Sequence, residues 1–135
     1  MRELSLLKSL LVVIGIVFLQ WNNVAQATSI EQAFKNNKSD VQVKGSGTVI
    51  VLLKDDNKGS RHQKFILKLP SGQTILIAHN IDLAPRINSI SKGDVVKFYG
   101  EYEWNAKGGI VHWTHHDPNN RHIGGWLKHN GKIYQ

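Results

Sequence analysis

From residue 41 onward, apolar and polar positions alternate with a period of two, the spacing of strands with one face in a core and the other toward water. Val41, Val43, Val49, Val51 and Leu53 share one face of a long first strand, Val41–Leu53, with Gly45 and Gly47 in the same row. Glycines inside a strand mark a bend or a close backbone approach, as in the coiled first strand of a small barrel. Asp55-Asp56-Asn57-Lys58-Gly59 turns the chain. His62–Leu69 follows as a second strand with Phe65, Leu67 and Leu69 inward, and Pro70-Ser71-Gly72 turns again. Gln73–His79 is apolar on both faces, which predicts a central or covered strand. Asn80–Ser91 loses the alternation, carries Pro85, and reads as a loop with one helical turn.

Val95–Trp104 resumes the alternation, with Val96, Phe98, Gly100, Tyr102 and Trp104 on an apolar face and Val95, Lys97, Tyr99, Glu101 and Glu103 opposite. Asn105-Ala106-Lys107-Gly108 supplies turn chemistry, and Gly109–His116 is expected to run back as a strand. A four-residue loop sets Tyr102 against Val111, Glu101 against His112 and Glu103 against Ile110. The same register puts Trp113 over Gly100, His115 opposite Phe98, Tyr99 opposite Thr114 and Lys97 opposite His116. Near the end, Asn130-Gly131 is a strong two-residue hairpin signal that pairs Leu127 with Tyr134 and Lys128 with Ile133. Before the first strand, Thr28-Ser29-Ile30-Glu31 fits a capping box, followed by a helical stripe of Ile30, Ala33 and Phe34.

The order is three strands, an irregular connector and two more strands, which is that of the five-stranded OB barrel; an SH3-like barrel is the alternative. The expected architecture is mainly β: one OB-like domain over 28–135, with a short helix at 28–37, the barrel at 41–116 and a C-terminal hairpin at 125–135. Residues 1–27 read as a secretory leader: Arg2 and Lys8, an apolar run Leu10–Leu19, then the small-x-small site Ala25-Gln26-Ala27. The run falls short of the roughly 20 residues of a membrane span, so no stable span is expected after cleavage and the product is periplasmic or secreted.

With Arg2, Lys8 and Glu3 set aside, the remainder carries a formal charge of +6. Such a field suits polyanions, nucleic acid or acidic polysaccharide, and equally suits plain solubility because the lysines are scattered. The chain has no cysteine, so stability rests on the core.

Candidate chemistry gathers between residues 99 and 122. Glu101, Glu103 and His112 share one strand face and form a candidate proton-transfer or cation site. His116, Asp117 and His122 are a candidate metal group, for zinc or calcium as a divalent cofactor, once the loop folds back. Their alternative is ordinary polar strand and loop residues, with His115 a hydrogen-bonded core histidine. Tyr99, Trp104, Arg86 and Arg121 are candidate ligand-binding residues, with Trp126 as a further platform and Arg61, Lys64 and Lys68 as further charge. An Asp82–Arg86 pair would fasten the connector. No G-x-S-x-G stretch or cysteine supports a nucleophile.

The combination HNIDLAPR (His79–Arg86), GEYEWN (Gly100–Asn105) and HWTHHDP (His112–Pro118) resembles a family of short exported bacterial proteins of unknown function. The resemblance implies a shared fold and export and brings no activity. A weaker similarity links Ile81-Asp82-Leu83-Ala84-Pro85-Arg86 to the Ile-Asp-x-Pro-Glu loop of staphylococcal-nuclease-like OB domains. It implies a metal-dependent phosphodiesterase or nuclease with Asp55, Asp56 and Asp82 as calcium carboxylates. Here Arg86 stands where that family has its glutamate base, and Ile77 stands where it has its phosphate-clamping arginine. The leading expectation is therefore a binding module for a polyanionic or sugar-like ligand, metal-assisted, with the nuclease as the alternative.

Overall fold

The computed structural model describes residues 29–135, so the expected leader and Thr28 lie outside the described residues. A short helix, α1 (Ile30–Lys35), precedes seven strands: β1 (Val41–Leu52), β2 (His62–Lys68), β3 (Thr74–Asn80), β4 (Val95–Glu103), β5 (Ile110–His112), β6 (Trp126–His129) and β7 (Lys132–Tyr134). The first five close in the order β1-β2-β3-β5-β4 and back to β1, the topology of an OB-like barrel, with β3 and β5 parallel. The β6–β7 ribbon continues the sheet from β4.

One long strand makes the closure. Val41–Thr48 pairs with β4 and Thr48–Leu52 with β2. The bend between them falls where Gly45 meets the Phe98 ring and Gly47 meets Leu67, leaving no room for side chains. A register shift between Val49 and Val51 then rotates the strand's end, so Val51 and Leu53 face outward and are exposed, contrary to the simple alternation.

The interior is packed by Phe65, Leu67, Ile75, Ile77, Val96, Phe98, Tyr102, Val111 and Leu127, all essentially inaccessible to solvent. The Tyr102 hydroxyl, buried with its ring, donates to the Gly108 carbonyl at 2.7 Å. The connector from 81 to 94 contains turns and no helix. It drives Ile87 into the core, where the Gln63 side chain satisfies both its backbone N–H (2.9 Å) and its carbonyl (2.8 Å).

At the N-terminus the capping box sits one residue later than Thr28: Ser29 caps the helix and Gln32 bonds back. Ile30 and Ala33 are buried as the stripe predicts, and Phe34 packs against the core. The larger departure is in the fifth strand. β5 stops at His112 because Trp113 takes φ +56°, outside the extended region. Thr114, rather than Trp113, comes against Gly100, and β4 takes a second partner, with Phe98 opposite Leu127 and Tyr99 opposite Trp126. The expected pairings of His115 with Phe98, Thr114 with Tyr99 and His116 with Lys97 are therefore absent. The terminal ribbon has its expected register, with Asn130 and Gly131 both at positive φ.

Candidate functional site

On the outer face of β1, β4 and β5, cross-strand register sets Gln42, Glu101 and His112 in one row. Glu103 lies two residues along β4 on the same face. His112 Nε2 is 3.2 Å from Glu101 Oε2 and 3.4 Å from Glu103 Oε1. One ligand atom from each of the three residues falls within 4.8 Å of the others. The His112 nitrogen is shut off from solvent, yet neither carboxylate contact meets the geometry of a well-formed hydrogen bond. Gln42 Nε2, in the same row, is also buried without a partner among the described residues. Desolvation raises the pKa of Glu103, and the neighbouring Asp40 carboxyl adds to the rise against the opposing pull of His112.

A fourth group arrives from the 113–125 loop. His122 Nε2 lies 3.1 Å from Glu101 Oε1, so Glu101 meets one imidazole with each oxygen. The His122 ring is stacked on Trp113 at 3.9 Å between centroids and 9° between planes, and its Nδ1 donates to the Ile123 carbonyl at 2.8 Å. Desolvation lowers the pKa of His122, but the bonds to Ile123 and Glu101 and the charges of Glu101 and Asp117 outweigh it, leaving a net rise. The loop is held by Asp117, whose Oδ1 accepts from the Asn119 N–H and whose Oδ2 accepts from those of Arg121 and His122. These bonds, led by the one from Asn119, keep the Asp117 carboxyl below the usual range.

The structure thus brings Glu101, Glu103 and His112 together and adds His122. It does not gather His116, Asp117 and His122: the Asp117 carboxylate is consumed by backbone donors, and His116 is exposed on the loop. His115 is buried, with Nδ1 bonded to the His116 carbonyl at 2.7 Å.

Among the ligand-binding candidates, Tyr99 stands on the same outer face, tilted against Trp126 at 6.1 Å, with Lys44 Nζ 5.5 Å over the Trp126 ring. Trp104 packs against the core, and its Nε1 donates to the Phe34 carbonyl. Arg86 is tied by two bonds to Asp55 and a third to Asn88. Arg121 is exposed on the loop. Asp82 pairs with Arg61, not with Arg86.

The sequence did not single out Lys97 and Lys128. They stand directly opposite each other on β4 and β6, beside the Lys44–Tyr99–Trp126 row. The Asn-Gly turn predicts the terminal ribbon, but no local pattern tells which barrel strand it joins.

The family model described as "Protein of unknown function (DUF3465)" matches residues 12–135. The chain belongs to this family. Comparison with curated proteins gives no match. The DUF3465 assignment covers every described element, from α1 to β7, and carries no activity.

Proposed function

We propose that this DUF3465 member is an exported, non-enzymatic binding barrel that holds an acidic, sugar-like polymer on the outer face of β1, β4 and β6. The observation that carries this reading is the direct opposition of Lys97 and Lys128. Like charges facing each other across a ladder are destabilising, and neither lysine makes an ion pair among the described residues. Lys44, held over the Trp126 ring, adds a third cation in the neighbouring row. An anionic group laid across this patch neutralises a repulsion built into the sheet.

A saccharide with spaced acidic groups suits the patch better than a continuous phosphate backbone, because Glu101 and Glu103 close one end of the basic strip. Nothing in the geometry favours hydrolysis by the nuclease-like scheme. Asp55 and Asp82, two of the three carboxylates that scheme would use, are engaged by Arg86 and Arg61.

Heparin serves as the probe. Retention on immobilised heparin should fall steeply with salt, and Lys97→Glu with Lys128→Glu should move elution to markedly lower salt. Elution unchanged by the double substitution would overturn the reading. Preferential retention on single-stranded DNA would replace the sugar with nucleic acid, and metal-dependent plasmid cleavage would restore the nuclease alternative.

A further inference from the structure

We propose that Glu101, Glu103 and His112 bind a first-row divalent transition metal of the zinc type, with His122 as the positioning residue that holds Glu101. The proposal stands apart from the polymer reading, because it concerns the metal alone and different side chains.

Spacing is the first argument. Zinc–ligand bonds of about 2.0–2.1 Å in a tetrahedron put neighbouring ligand atoms about 3.3 Å apart. His112 Nε2 stands 3.2 Å from one glutamate oxygen and 3.4 Å from the other. These are also the lengths of ordinary ion pairs, so direction decides. An imidazole donating its proton would settle on one oxygen, whereas this solvent-excluded nitrogen stands almost equally close to both and makes a well-formed hydrogen bond to neither. A cation between the three atoms accepts the nitrogen lone pair and both carboxylates at once.

The support around the ligands is the second argument. Glu101 and His112 are directly opposed on adjacent strands, and Glu103 follows on the same face, so backbone pairing fixes all three. His122 takes Glu101 Oε1 and leaves Oε2 toward His112. Its ring is itself fixed by the Trp113 stack and the Ile123 carbonyl. A residue of this kind orients a ligating carboxylate and commonly contributes ten- to a hundredfold in affinity. Partial exposure of Glu103 and His112, 38% and 32% of their side chains, leaves an outward position for water or an external ligand.

Ligand chemistry selects the ion. One imidazole with two carboxylates suits zinc, cobalt or manganese, whereas calcium seeks six to eight oxygens, more than this face offers.

The test uses untagged protein expressed from the full chain, stripped of metal and dialysed against zinc at pH 7. One zinc per chain is expected, with no comparable retention of calcium. Glu101→Gln and Glu103→Gln preserve side-chain shape, and each should weaken zinc binding at least a hundredfold; His122→Ala should weaken it ten- to a hundredfold. Circular dichroism verifies that the variants are folded. Cobalt added to the wild type should give the intense visible absorption of a four-coordinate site. Absence of retained zinc overturns the proposal. So does zinc binding that survives both glutamine substitutions, or binding that is lost instead in His116→Ala.

Discussion

Acidification from pH 7 to pH 4 should remove about 3 kcal/mol of stability through a single residue, His79. Its ring is wholly buried, with Nε2 2.9 Å from the Pro85 carbonyl and Nδ1 2.7 Å from Thr114 Oγ1. A carbonyl only accepts, so Nε2 carries the proton and Nδ1 accepts from the threonine hydroxyl. The neutral ring is therefore satisfied at both nitrogens. Burial is the main influence on its pKa. The Pro85 bond opposes it, and His115 and His62 reinforce it, so the value falls from 6.5 to about 4. Because the folded-state pKa lies below the unfolded one, the unfolded chain takes up the proton first. The contribution is complete above pH 6.5 and is lost as the pH falls toward about 4. At about 1.4 kcal/mol per pH unit, that interval amounts to about 3 kcal/mol. Urea unfolding followed by tryptophan fluorescence at pH 7, 5.5 and 4 measures it, with His79→Gln as a reference that keeps a donor and an acceptor but does not titrate. The wild type should lose about 3 kcal/mol more than the variant over this range. Asp82, Asp94 and Asp117 are all held below the ordinary carboxylate value of 3.8; they yield their contributions at lower pH, and equally in both proteins. Parallel stability curves for the two proteins would refute the reasoning.

Further outcomes follow from the same contacts. Gly109→Ala would force a side chain into the Tyr102 ring at φ +106° and should cost about 3 kcal/mol or more, whereas Gly131→Ala meets open space at φ +77° and should cost about 1; thermal melts of the pair separate packing from backbone strain. Ser29→Ala removes the α1 cap and should lower stability by about 1 kcal/mol in the same melts. A double-mutant cycle on Asp55 and Arg86 should return a coupling of about 1 kcal/mol, since the pair is bidentate but partly exposed; zero coupling would mean that it does not fasten the connector.

The barrel was legible because its strands alternate cleanly and its turns carry their own chemistry. The Glu101–His112 register followed from a four-residue loop after Trp104, and the structure has it. The indole that the same register would place over Gly100 is not there: the space beside that glycine belongs to the His112 carbonyl, Val111 and Thr114. Trp113 instead turns out of the strand to stack on His122, a partner nine positions along whose approach depends on three backbone bonds to Asp117. Tertiary closure of that kind leaves no periodic trace. The destination of the terminal ribbon was hidden for a similar reason, since Trp126–His129 could alternate as it does beside any strand with a free edge. Asp55 and Arg86, 31 residues apart, pair only because the connector folds over the end of the barrel.

β4 receives β5 and then β6 along the same edge, so residues 113–125 leave one ladder and re-enter it a few residues lower. Most of this stitch is pinned, through Thr114, His115, Asp117 and His122, and its tip, residues 118–121, stands exposed. Loop-closure entropy grows slowly, each doubling of length costing only about 0.6 kcal/mol, so insertions between Asn119 and Asn120 spare the staves on either side. Relatives with different tastes in ligand would therefore be expected to diverge first at this tip, re-dressing the rim beyond the glutamate row while the barrel beneath stays the same.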